Sequence, residues 1–126
     1  MEQFVVFLHV VAASVWVGGQ IVVAGLVPTV RGFGDDAPRQ LARAFNRVAW
    51  PAFGLALVTG LANILLMGAD ELSHPLIEIK FTLVLLSAVG AVVHQTARGS
   101  TTRLALGGAG ALVFGLGAMY AGVLLG

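Results

Sequence analysis

The chain carries three histidines, His9, His74 and His94, two internal methionines, Met67 and Met119, and a solitary lysine, Lys80. Imidazole and thioether donors together suit Cu(I), whose affinity follows ligand softness. A single imidazole in a helical protein equally suits the iron of haem b, with a cation such as Lys80 to neutralise a propionate. Spacing at the helical period places these residues on stripes. His9, Ala13, Trp16 and Gln20 share one face, Ala56, Gly60, Asn63 and Met67 a second, and Lys80, Val84, Ser87, Ala91 and His94 a third. Other chemistries fit poorly. Cysteine is absent, which excludes disulfides, thiolate metal sites and iron–sulfur clusters. Zinc would lack its usual ligands, and Ser14 and Ser87 lie deep in apolar runs with no carboxylate beside a histidine.

The elements that must position these groups follow from composition. Of 126 residues, 58% are hydrophobic and 10% charged, with a mean hydropathy of +0.95. Soluble domains carry about 25% charged residues. A soluble enzyme, a nucleic-acid binder and a disordered tail are thereby excluded as readings. The charges punctuate the chain: residues 3–30, 48–69, 81–97 and 104–126 hold none, runs of 28, 22, 17 and 23. About 20 apolar residues cross a bilayer as a helix, so spans are expected at 4–29, 47–68, 75–96 and 104–125. The third takes Glu78 and Lys80 close to its boundary. The first run is too long, and its start at Glu2 too acidic, for a signal peptide.

Short connections make successive helices antiparallel. The expected fold is all-α: an integral membrane antiparallel four-helix bundle forming a single domain over 1–126. Arg31, Arg39, Arg43, Arg47, Arg98 and Arg103 fall on one side, against Lys80 with Glu2, Asp70, Glu71 and Glu78 on the other. Basic residues mark the cytoplasmic side. Loops 31–46 and 97–103 are therefore expected inside an inner (plasma) membrane, with both termini outside. Trp50 and Tyr120 fit opposite interfacial belts.

Depth then sorts the polar residues. His9 and Lys80 each lie roughly 8 Å below the outer end of their helices. Met67 and Asn63 end the second helix on that side, Met119 and Tyr120 approach it on the fourth, and His74 and Glu78 fringe it. Each has a plainer role: His9 in an interhelical hydrogen bond, Lys80 snorkelling to the interface, the methionines filling gaps, Trp16 packing in mid-helix, His94 at the inner headgroups. Gly107, Ala111 and Gly115 repeat every fourth position, a row that packs helices closely within a bundle or in a homo-oligomer.

The stretch LHVVAASVWVGG, from Leu8 and His9 through Trp16 to Gly19, resembles the opening helix of the copper resistance D (CopD-like) membrane domain. RAFNRVAWPAFGLALVTGL, Arg43 to Leu61, resembles that family's second helix, and Ile79-Lys80-Phe81 its third. The resemblance implies copper handling or transport, with His9 as first metal ligand; Met67, Met119 and, at the entrance, His74 are the metal candidates that the depth reading adds. The fused periplasmic copper domain and Met/His-rich tail of larger members are missing from this sequence. His9, Trp16, Gly19 and Lys80 also resemble the HemJ-type protoporphyrinogen oxidases. That likeness implies haem b with His9 as axial ligand and Lys80 as propionate or substrate partner; Trp16, Asn63 and His94, from the polar stripes, are further candidates to line a cofactor. A non-catalytic helper subunit is the third expectation.

Overall fold

The computed structural model describes residues 1–68, 70 and 73–126. Glu71, expected on the outer side, lies outside the described residues. The chain is all-α, and no strand occurs among the described residues. Among the described residues four long helices carry it: α1 (Glu2–Val30), α2 (Ala37–Met67), α3 (Pro75–Gln95) and α4 (Thr101–Leu125). All four are long and apolar enough to cross a membrane. The helices divide into two compact units, Met1–Gly68 and Ala69–Gly126. Each contains one antiparallel helix pair, α1 with α2 and α3 with α4.

Helix ends obey local chemistry. Pro38 stands in the first turn of α2 and Pro75 opens α3, where the missing N–H costs nothing. Ser100 caps α4 by accepting a hydrogen bond from the Arg103 backbone N–H at 3.3 Å. Gly68 ends α2 at φ 103°, a conformation that side chains with a Cβ resist.

The helix that carries the span expected at 47–68 begins ten residues before it, at Ala37. The expected loop 31–46 is mostly helical: a 3₁₀ turn at Arg31–Phe33 follows α1 directly, leaving residues 34–36 as the break. Charge-free runs mark where hydrocarbon ends. They do not mark where a helix ends, and the Arg, Gln, Leu and Ala of residues 37–47 are all good helix formers.

The interior is built from small side chains. In the second unit, α4 buries Gly107, Ala111, Gly115, Ala118 and Ala121, and α3 buries Ile77, Ser87 and Ala91. A Cβ on Gly90 would lie 2.8 Å from the Gly107 carbonyl oxygen, so the two backbones are in direct contact there. The row Gly107, Ala111, Gly115 is thus covered by α3 within the chain, and an oligomer seam along it would require the pair to open. At the same seam the Ser87 hydroxyl, 1% exposed, donates to the Ala111 carbonyl at 2.6 Å. Large aliphatics such as Leu65, Leu85 and Val113 stay outside, above 60% exposed. That distribution suits lipid as the surrounding solvent, where apolar surface needs no burial and close backbone packing holds helices together.

Candidate functional site

In the first unit, His9 of α1 lies against the α2 backbone. Its Nδ1 is 2.9 Å from the Ala56 carbonyl oxygen and 3.2 Å from the Thr59 hydroxyl. A carbonyl only accepts, so Nδ1 carries the proton and donates it. The Thr59 hydroxyl gives its own hydrogen to the Leu55 carbonyl at 2.6 Å, which leaves its oxygen to share the imidazole N–H. The ring rests on Gly60: a Cβ there would lie 3.1 Å from Cε1. Glycine at this one position lets the imidazole approach α2 closely enough to reach the carbonyl.

This arrangement selects a tautomer. With the proton held on Nδ1, the basic lone pair of the ring is on Nε2. Metal-ligating histidines are oriented in the same manner, by an Nδ1–H bond to a carbonyl or carboxylate. Thr59, 6% exposed, completes this second layer and is absent from the sequence-predicted set. Its signal was its position beside Gly60, as the one hydroxyl in a long apolar run.

Farther along the pair, Trp16 is 5% exposed and packs against Phe53 with ring centroids 4.5 Å apart and the planes tilted by 44°. Trp50 meets both: its centroid is 5.1 Å from Trp16 and 5.7 Å from Phe53. The packing expected of Trp16 is therefore aromatic. Trp50, expected in an interfacial belt, is half-buried and turns its ring onto Trp16 of α1, as an amphipathic indole with one apolar side can. Phe53 went unnoticed because a phenylalanine in an apolar helix resembles any other filler.

The remaining predicted residues separate. Met67 is 55% exposed and stands eight residues beyond Thr59, about 12 Å along α2, so its thioether does not join the His9 imidazole. Asn63 is half-buried on α2, one turn beyond Thr59. His74 is the N-cap of α3, where Nδ1 accepts from the Leu76 backbone N–H at 3.3 Å. Its lone pair on Nδ1 is occupied by the helix end, which competes with the metal-entrance role expected of it. Met119 is 36% exposed. Lys80 folds across to α4, where a Cβ on Gly122 would be 3.1 Å from Nζ. The ammonium thus lies over the last turn of α4, the negative end of that helix.

His94 repeats the His9 arrangement in the second unit. Its Nδ1 donates to the Leu104 carbonyl at 2.7 Å, and a Cβ on Gly108 would lie 2.9 Å from the ring. In both pairs the accepting carbonyl precedes the supporting glycine by four residues, Ala56 with Gly60 and Leu104 with Gly108. Among the described residues, no three His, Asp or Glu side chains converge as a metal cluster.

Within residues 1–68 the donor set is one oriented imidazole, which fits a cofactor that brings most of its own ligands, as a porphyrin does. It fits a bare copper ion less well within residues 1–68, where the second soft donor is remote. Comparison with known proteins adds no relative: no family model matches the chain, nor does any curated protein or solved structure.

Proposed function

We propose that this is a multi-pass membrane protein that binds a metal cofactor through His9, and that the cofactor is haem b. The observation that supports this reading is the hydrogen bond from His9 Nδ1 to the Ala56 carbonyl, shared with Thr59. It holds the imidazole in the tautomer whose Nε2 can ligate. Bound haem would supply one-electron chemistry. The protein's part is to orient the ring, to hold its proton away from the ligating nitrogen and to surround it with apolar helix. Copper handling is the second reading, favoured by the likeness of Leu8–Gly19 to the CopD-like opening helix; it too begins at His9.

A visible spectrum with metal analysis of the detergent-purified protein tests both. A Soret band that is lost in His9→Ala and retained in His94→Ala supports the haem reading. A colourless protein with stoichiometric copper, lost in His9→Ala, replaces it with the copper reading. A preparation that takes up neither on reconstitution overturns both and leaves the helper subunit.

A further inference from the structure

The first helix pair has a third of its length that behaves unlike the rest. Glycine and aromatic contacts set the register: Gly60 faces His9, Phe53 faces Trp16, and Phe45 faces Gly19. Continued toward the connection, that register sets residues 21–30 of α1 beside residues 37–47 of α2. The two stretches differ sharply at the same level. On α1, Ile21, Val22 and Leu26 are 49%, 59% and 44% exposed, and the stretch carries no charge. On α2, Arg39, Arg43 and Arg47 recur every fourth residue, all exposed, and so form one stripe.

The only acidic contact on this stripe is the surface pair of Arg39 with Asp36 at 4.0 Å; among the described residues Arg43 and Arg47 have no carboxylate partner. Length adds a second constraint. The uncharged part of α2 from Val48 to Met67 is 20 residues, about 30 Å, which by itself fills the hydrocarbon core. Arg47 then stands at the boundary and Arg43 one turn above it, at the depth of lipid phosphates. Guanidinium groups pair with phosphate through two parallel hydrogen bonds, and long basic side chains reach the interface from either side of it.

From this combination we infer that the connecting third of the first pair is a binding surface for anionic phospholipid headgroups. Arg43 and Arg47 hold the phosphates, and Arg39 adds to the field. The surface is independent of the cofactor reading: it uses none of the residues around His9.

Native mass spectrometry of the protein released from mixed bilayers tests it, with phosphatidylglycerol and phosphatidylcholine in equal amounts. The wild type should retain phosphatidylglycerol preferentially. Arg43→Gln and Arg47→Gln should each reduce that preference about fivefold, the equivalent of about 1 kcal/mol per juxtamembrane cation. Arg43→Lys should keep most of it, and Arg103→Gln, in the first turn of α4, should leave it unchanged. Equal retention of both lipids by the wild type would overturn the inference. So would an undiminished preference in both glutamine variants, or retention of inorganic phosphate at the same arginines in place of lipid. Circular dichroism of each variant separates a lost site from a lost fold.

Discussion

His9 and Gly60 are in contact across the first helix pair, with the imidazole lying where a Cβ on residue 60 would come within 3.1 Å of Cε1. The contact couples packing to chemistry. The absence of a side chain at residue 60 lets the ring approach the Ala56 carbonyl this closely, and that bond determines which nitrogen is basic.

Gly60→Ala therefore displaces the ring by a few tenths of an ångström and weakens both Nδ1 bonds without removing the histidine. Thr59→Val removes the second acceptor while preserving shape. We expect each to destabilise the first pair by about 0.5–1.5 kcal/mol, the range of interhelical polar contacts in membranes. If His9 binds haem, both should also shift the Soret band or the reduction potential. Unchanged spectra with bound haem in both variants would detach the second layer from the ligand.

The second pair depends on backbone contact at Gly90 and Gly107. Valine at either position has no room, because the opposing atoms are main chain and not flexible side-chain ends. Overpacking of this kind costs about 1–3 kcal/mol or more. Unfolding in a graded mixture of sodium dodecyl sulfate and mild detergent should show the loss, and Gly99→Val, outside the packed seam, should not share its mechanism. Ser87→Ala should cost less, about 1 kcal/mol, since it removes one hydrogen bond and leaves the seam closed.

Trp16→Ala empties the centre of the aromatic group with Trp50 and Phe53. Truncating a buried tryptophan costs about 3–5 kcal/mol, so this should be the most damaging single change in the first unit. Trp16→Phe should recover much of the loss. Near-ultraviolet circular dichroism, which reports ordered aromatic contacts, should fall in the alanine variant and persist in the phenylalanine one. An unaltered spectrum in Trp16→Ala would show the rings to be independent.

The spans were legible because hydropathy is a property of a segment: it sums over all faces of a helix, so uncharged runs outline what a bilayer tolerates before any rotation is known. The stripes were legible for a similar reason. His9 and Trp16 do share the face that packs on α2, and Gly107, Ala111 and Gly115 do share a buried row. Ala56 and Gly60, read as one face of α2, do meet His9. What each face touches is another matter. Thr59 became the histidine's neighbour, and Met67 did not, because the register of α1 on α2 brings His9 to the level of residues 56–60. That register depends on where close approach is sterically possible, at Gly60 and at the ring of Phe53. The start of α2 at Ala37 and the capping role of His74 escaped for a different reason: both turn on backbone hydrogen bonds near a helix end, which hydropathy does not measure. Composition and period thus determined that four apolar helices form and which faces they bury. Only the tertiary structure decided which atoms meet, because a hydrogen bond requires rotation, register and approach distance to agree at once.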